Sequence, residues 1–452
     1  MKLLKLKNII ISFFKIIIDK LSFLFLVLAL ILLLIISAKL NFNFLNISRY
    51  FYFYITIFLI LIFFSILSSL SNRIIRIYLI IISTSCFFAM IFFEAYLWYQ
   101  NLYKVKLQSK TKIYYKLNKK KYEEKTELQK YTELKNKDFT ITIPPSLHVN
   151  NKIEMYPLSG ISNKKTIFCN NGSYIFYKSD RYGFNNPDEE WNNLSTEYFL
   201  IGDSFVHGKC VDKPNDISSI LRNLTKKSLI NVSYSGNGPL IEYATLKEYL
   251  PKNTKNVLWF FYEGNDLEGM GKELKSNILR KYFLDKNYIQ NLKFKQNEID
   301  IFLNTYVEEI YLKKLKNIDN SKIKGFFSIF KFSNLQNFFL TSIGQYGFLK
   351  SDYSKFKKLA FMINDFVKQN NSKLYFIYLP EYQRYTFPYN NSNYLKIREI
   401  ITGLDIRFID IHKSIFQNEI NPLTLFPNNY DDKHYNELGY RKISEEIIKN
   451  IR

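Results

Sequence analysis

The sequence predicts a doubly wound α/β domain built on a parallel sheet and preceded by transmembrane helices. Three observations carry that reading. From about residue 191 to the C-terminus, short runs rich in aliphatic and aromatic residues alternate with helix-period patterns. Three long uncharged apolar runs fall within the first hundred residues. A polar, Lys/Glu-rich stretch separates the two regions.

The apolar runs come first. Leu21 to Ala38, Phe51 to Leu70, and Ile77 to Phe93 extended to Leu97 are each near the length a helix needs to cross the hydrocarbon of a bilayer. Residues 1–99 therefore read as a membrane region with three spans at 21–38, 51–70 and 77–97. Met1 to Lys20 is apolar but carries Lys15 and Asp19, as an interfacial helix does. No small-residue cleavage site follows the first run, which argues against a cleaved signal peptide. Lys2, Lys5, Lys7, Lys15 and Lys20 precede span one, whereas the first loop holds only Lys39 and Arg49, so the N-terminus is expected in the cytoplasm. Arg73 and Arg76 then return to the cytoplasmic side, and Tyr96, Trp98 and Tyr99 mark the outer interface. Three spans place everything after residue 100 outside the cytoplasm. The lysines from Lys104 to Lys137 do not oppose this, because long translocated domains are largely exempt from the charge rule.

The formal net charge of +23 invites a nucleic-acid reading. That reading fails on detail: the lysines are scattered, and no arginine-rich helix, zinc pattern or RNA-binding signature appears. Attraction to anionic lipid or acidic glycan is compatible with the same charge. Cys86 lies in span three, which leaves Cys169 and Cys210 as the only candidate extracytoplasmic pair. Two cysteines make no framework, so their pairing stays open.

Residues 100–137 read as a polar stalk and 138–190 as a small β-rich accessory region, with "FTITI" and "YIFY" as its strands and "PP", "SG" and "NNG" as its turns. Within 191–452, Glu197 to Ile201, Ser228 to Val232, Asn256 to Tyr262, Lys373 to Leu379 and Arg407 to Ile411 read as buried parallel strands. Ile217, Ile220, Leu221 and Leu224 repeat at helix spacing, as do Phe356, Leu359, Ile363 and Phe366. The long interval between the third and fourth strands exceeds a minimal fold, and about 270–350 reads as a helical insertion suited to a lid. Ligands of such a sheet bind at the carboxyl ends of its strands, and Ser204 follows the first of them.

Ser204 in "FLIGDSFVHG" has two readings, helix cap and nucleophile. A Gly-Asp-Ser triplet alone does not decide, because it is common by chance. A nucleophilic serine needs a base, an acid to orient the base, and donors for the oxyanion. Four histidines are available. His148 lies in the accessory region, His412 ends a strand, and His207 would share the helical turn of Ser204, a poor approach to its hydroxyl. His434 sits in "NNYDDKHYNELGY", where Asp431 precedes it by three residues in a loop before the C-terminal helix. The donors are the Ser204 backbone N–H, a backbone N–H at Gly236 in "NVSYSGNG", and the Asn265 amide in "EGND".

The order and spacing of these blocks resemble the SGNH (GDSL-type) hydrolase family. Gly202 to Ser204 resembles its first block, "NVSYSGNG" its Gly block, Gly264 to Asp266 its Asn block and "DDKH" its terminal DxxH. "SDRYGFNNPDEEW" is similar to the lead-in of membrane-anchored bacterial members. The resemblance covers roughly Glu197 to Arg452. It implies a three-layer α/β/α, flavodoxin-like domain with Ser204 as nucleophile, His434 as base and Asp431 as orienter. Ser204, Gly236 and Asn265 would form the oxyanion hole. The implied function is a membrane-tethered serine esterase acting on O-acyl esters of a cell-envelope glycan or lipid. The same residues would serve an O-acyltransferase of surface polysaccharide, and a non-catalytic assembly or glycan-binding protein would keep the fold. With no metal cluster or nucleotide fingerprint, neither cofactor nor metal is expected.

Overall fold

The computed structural model describes residues 16–40, 49–117, 123, 127–149, 153–170, 173–318, 335, 350–386, 389–427 and 433–451. The chain divides into two compact units, one of residues 1–105 with 319–347 and one of residues 106–318 with 348–452.

In the first unit the apolar runs form helices α1 (Leu21–Leu40), α2 (Arg49–Leu70) and α3 (Arg73–Leu117). α1 packs on α2 through Phe25 and Phe64, whose rings lie 5.6 Å apart. The Ser65 hydroxyl donates to the Ser22 carbonyl between them (2.9 Å). Large apolar side chains face outward, including Phe23, Leu59, Phe63 and Phe92. Among the described residues, Arg73–Tyr99 is long and apolar enough to cross a membrane, and Leu21–Leu33 and Ile55–Leu70 are shorter apolar helices. Glu94 is buried in this unit, where its carboxylate accepts the Leu335 N–H (2.7 Å).

The second unit holds both sheets. Helix α4 (Glu127–Leu134) falls in the stretch whose composition suggests a stalk, yet it buries Tyr131 against the smaller sheet. That sheet is β1 (Phe139–Ile141), β2 (Lys165–Asn170) and β3 (Tyr174–Lys178), with β1–β2 parallel and β2–β3 antiparallel. β2 has no counterpart among the strands expected from sequence, because its short apolar core is interrupted by a register shift between Ile167 and Cys169.

The larger sheet contains β4 (Thr196–Ile201), β5 (Leu229–Asn231), β6 (Thr254–Tyr262), β7 (Lys373–Leu379) and β8 (Arg407–Asp410). All five strands are parallel, in the order β5-β4-β6-β7-β8. This is the flavodoxin-like order, and its direction reverses between β4 and β6, where the chain ends diverge and leave a crevice. The strands read as continuous apolar runs because both faces are covered. Phe199, Ile201, Trp259, Phe261, Phe376 and Tyr378 pack with α7 (Pro239–Tyr249) and α11 (Lys350–Gln369) on one face. Tyr198, Leu200, Phe260, Tyr262, Ile377 and Leu379 pack with α6 (Ile217–Thr225) and α14 (Glu437–Ile451) on the other. The period of two along each strand thus fills two cores and gives three layers.

Between β6 and β7 lie α8 (Asp266–Glu273), α9 (Asn277–Leu284), α10 (Gln296–Ile318) and α11. Leu267, Leu279, Tyr282, Ile299 and Leu303 add to the first core. The middle of the expected insertion, 319–334 and 336–349, lies outside the described residues, and so does any lid it would form.

One carboxyl in that core has no cation beside it among the described residues. Glu242 on α7 is fully buried, and one of its oxygens accepts the Trp259 indole N–H (2.7 Å) while the other has no partner among the described residues. Burial pushes this group well above the usual carboxylate range, opposed by the Trp259 hydrogen bond and aided by Asp203 and Glu273. An acid that holds its proton more tightly in the fold stabilises fully below its unfolded pKa, and that contribution is lost as pH rises toward the folded value. The loss therefore begins near pH 4.5, the group's ordinary value. Glutamine keeps the indole contact and does not titrate. Glu242→Gln should raise the melting temperature relative to wild type more at pH 8 than at pH 5, and equal shifts at both would show an ionised Glu242.

Candidate active site

Ser204 opens helix α5 (Ser204–His207) immediately beyond β4, at the reversal point of the sheet. Asp203 is the N-cap, its carboxylate accepting the Phe205 N–H (2.9 Å). Gly202 is required by space, since a Cβ there would stand 2.8 Å from Val206 Cγ2 and 3.2 Å from Phe260 Cβ. The helix-cap reading and the nucleophile reading therefore concern neighbouring residues. Asp203 caps, and the half-buried Ser204 hydroxyl is directed elsewhere.

It meets His434. Ser204 Oγ and His434 Nε2 are 2.8 Å apart across 230 residues of chain. The His434 ring rests on Phe205 (4.5 Å), which stacks on Tyr262 at 4.1 Å. The following residues fix the loop. Tyr435 is buried and donates its hydroxyl to the Pro380 carbonyl (2.6 Å) at the end of β7. Asn436 donates to the carbonyls of Thr424 (2.7 Å) and Phe426 (3.0 Å) and accepts the Gly439 N–H at the start of α14. Asp431, the expected orienting acid, lies outside the described residues.

The Gly block is tied to the same turn. Tyr234 N–H donates to the Gly202 carbonyl (3.2 Å), and the chain then turns so that Asn237 N–H returns to the Tyr234 carbonyl (3.1 Å). Gly236 is exposed within that turn with φ +81°, and a Cβ would meet Ser146 Oγ at 2.7 Å. Position 236 is thus glycine for conformation and for space. Asn265 precedes α8 beyond β6, where its exposed side chain makes no capping hydrogen bond. Gly236 and Asn265 line one cleft together, with Ser146, Asn237 and Lys272. Ser204 is not among the lining residues of that cleft.

The other histidines have different surroundings. His207 is fully buried, and its Nδ1 accepts the Ser235 N–H (3.1 Å) between the rings of Phe168 and Tyr234. Burial, with Lys209 and Lys213, holds its pKa well below the ordinary histidine value. A neutral His207 thereby joins the serine helix to the Gly block. His148 lies among Tyr156, Phe302 and Tyr306, and burial lowers it to about 4. His412 Nδ1 is 2.8 Å from the Tyr385 hydroxyl.

Three supporting groups escape sequence reasoning. Asp180 accepts the N–H groups of Tyr182 and Phe184, the Asn186 amide and the Trp191 indole. Asn186 in turn pairs with the backbone of Asn231 on β5 in both directions. Burial pushes Asp180 up to about 6. Glu273 on α8 accepts the N–H groups of Gly238 (2.6 Å) and Leu240 (3.0 Å), anchoring the start of α7 beside the Gly turn. Burial raises Glu273 to about 7 and Asp203 to about 6, the latter opposed chiefly by the Phe205 N–H. Glu263 and Arg384 form a buried ion pair at the ends of β6 and β7, which also receives the Tyr378 hydroxyl. Glu273 and the Glu263–Arg384 pair carry no local signal, because their partners are remote in sequence, whereas these partners of Asp180 all lie within 11 residues of it.

Cys169 on β2 and Cys210 beyond α5 form a disulfide with Cα atoms 5.2 Å apart. It answers the question the sequence leaves open, and it ties the smaller sheet to the segment that follows Ser204.

No family model and no curated sequence matches this chain. Among solved structures it is similar to a lipase/acylhydrolase from Enterococcus faecalis, at 13% identity over 57% of this chain and 95% of that one, with a TM-score of 0.31. An acetyl xylan esterase, AlAXEase, matches at 13% identity over 57% and 100%, TM-score 0.30. Phospholipase A1 from Streptomyces albidoflavus NA297 matches at 11% identity over 57% and 99%, TM-score 0.31. Likenesses this distant assign neither residue roles nor an activity to this chain.

Because the disulfide restrains the unfolded chain across a separation of 41 residues, its removal should be costly. The Cys169→Ser, Cys210→Ser double variant should be about 2–4 kcal/mol less stable than the oxidised protein in denaturant titration. It should match wild type under reducing conditions.

Proposed function

We propose that this chain is a membrane-tethered serine esterase that cleaves O-acyl esters of a cell-envelope glycan or lipid. The observation that carries the reading is the 2.8 Å contact between Ser204 Oγ and His434 Nε2 at the reversal point of the sheet. A serine hydroxyl becomes a competent nucleophile when an adjacent neutral imidazole takes its proton.

In this mechanism Ser204 Oγ attacks the ester carbonyl carbon as its proton passes to His434 Nε2. The carbonyl oxygen becomes an oxyanion, stabilised by the Ser204 and Gly236 backbone N–H groups and the Asn265 amide. Collapse breaks the bond to the alkoxide, which leaves with the proton from His434, and the acyl group stays on Ser204. Water then attacks the acyl-enzyme with His434 again as base, releasing the acid and restoring the serine. Asp431 has the role of orienting the His434 ring and stabilising the imidazolium. A sugar hydroxyl in place of that water makes the protein an O-acyltransferase with every residue unchanged.

The apolar helices support a membrane anchor with three spans, and the disulfide favours an oxidising, extracytoplasmic compartment for the second unit. The rival reading is an envelope assembly or glycan-binding protein that keeps the fold. The half-buried contact between Ser204 Oγ and His434 Nε2 favours the esterase reading over that one.

Labelling with a fluorophosphonate tests the proposal, since attack by Ser204 Oγ displaces fluoride and leaves a stable phosphonyl ester. Wild type should label, and Ser204→Ala and His434→Ala should lose labelling by roughly a thousandfold or more in rate. Equal labelling of wild type and Ser204→Ala would overturn the esterase reading.

The oxyanion assignment has its own signature. Asn265→Ala should lower kcat on p-nitrophenyl acetate by roughly 10²–10³. KM should change little, because the donor is aimed at charge that develops only in the transition state.

A further inference from the structure

The cleft shared by Gly236 and Asn265 has a composition of its own. It holds about 320 Å³, the small end of the range for ligand sites, roughly 300–1,000 Å³. Its walls are Ser146, Val149, Asn237, Lys272, Glu273 and Lys275, with the two glycines 236 and 269 and Asn265. Val149 is the sole aliphatic side chain among them. Polar groups make up close to half of the exposed wall, a larger share than in the predominantly apolar walls that suit a long acyl chain.

Asn237 supplies the second observation. It is 4% exposed, and neither its Nδ2 nor its Oδ1 meets a hydrogen-bond partner among the described residues. A buried side chain that offers one donor group and one acceptor, both unmet, is unusual in a folded interior and is matched by adjacent sugar hydroxyls, which donate and accept. The position follows Gly236 directly, so a ligand reaching Asn237 lies beside the proposed oxyanion donors.

The charge of the cleft is the third. Lys272 and Lys275 are exposed on its wall, and Lys272 shares the Glu268 carboxylate at 3.1 Å. The lining carboxylate, Glu273, has both oxygens engaged by the backbone N–H groups of Gly238, Leu240 and Ile241. Ammonium groups on such a wall act as point charges for a carboxylate or phosphate.

We propose that this cleft is the subsite for an anionic sugar, with Asn237 as its buried anchor and Lys272 and Lys275 as its charged wall. Its place in catalysis rests on the esterase reading, in which the sugar bears the ester cleaved at Ser204. Binding itself does not depend on that reading, so the two are tested apart.

The test is calorimetric titration of the full-length Ser204→Ala protein in detergent with trigalacturonate, a phosphorylated maltotriose and unmodified maltotriose. At least one anionic trisaccharide should bind tenfold or more tightly than maltotriose, with the difference shrinking as salt rises. Which of the two binds distinguishes a uronate from a phosphate source. Asn237→Ala should weaken that binding at least tenfold. Asn237→Asp, which keeps the size and adds like charge, should weaken it further while leaving maltotriose unaffected. The Lys272→Glu, Lys275→Glu double variant should erase the preference for the anionic ligand. That double variant should give the wild-type far-ultraviolet circular dichroism spectrum, which shows an intact fold. Equal affinity for all three trisaccharides overturns the proposal, as does tight anionic binding retained by both Asn237 variants. Absence of labelling in wild type alongside anionic binding would remove the esterase reading and leave the subsite standing.

Discussion

The contact between Ser204 and His434 depends on strand order before it depends on either residue. Because β4 lies between β5 and β6, the chain leaves the first strand at the one point where the sheet reverses direction. The turns after β4, β5 and β6 consequently emerge at one end, and these carry Ser204, Gly236 and Asn265. His434 arrives from the far end of the sequence because α14 returns to cover the face containing β4 and β6, through Tyr440, Ile443 and Ile447. A buried stripe on the last helix thus places the histidine loop, and Tyr435 and Asn436 fix it to within hydrogen-bond distance. The proposed chemistry asks for a precision that packing alone rarely supplies.

Polar groups supply the rest of that precision, at a cost. Asp203, Glu242, Asp266 and Glu273 are all buried, and burial raises each of them. Glu273 fixes the Gly turn through the N–H groups at the start of α7, and Asp266 accepts the Tyr262 N–H at the end of β6. Carboxyls used as acceptors for backbone donors hold turns in place more rigidly than solvent would. Those hydrogen bonds favour the charged form but burial outweighs them, so the turns beneath the site are held by groups whose protonation is favoured. Orphan oxygens on Asp203, Glu242 and Asp266 belong to the same trade between rigidity and stability.

How far sequence reveals this follows from the range of each interaction. The five strands of the large sheet were legible because both faces are apolar, so a strand reads as a short unbroken run. Ser204 was legible because its strand, glycine and cap adjoin one another. Gly236 and Asn265 were legible for a similar local reason, as turn residues closing a strand. Glu273 and the Glu263–Arg384 pair were not, since each acquires meaning only from a partner brought by the fold. β2 was missed where its register shifts, and the pairing of Cys169 with Cys210 depends on that strand. Asp431 falls outside the described residues, so its expected role rests on its spacing from His434.

The two histidines that flank the serine helix show why nearness in sequence misleads. His207 is three residues from Ser204 in the same short helix, yet its ring is fully buried and engaged with the Gly block. There it is enclosed by Phe168, Tyr177 and Tyr234 and accepts from Ser235. Burial of the ring disfavours its charged form, which suits a brace better than a base. His434 is half-buried and reaches Ser204 with Nε2, the nitrogen farthest from its own backbone. The proposed role of base asks an imidazole to take a proton and give it up again, which needs that partial access to solvent and substrate, and a loop before a helix provides it. The division of labour between the two therefore follows from where each backbone lies.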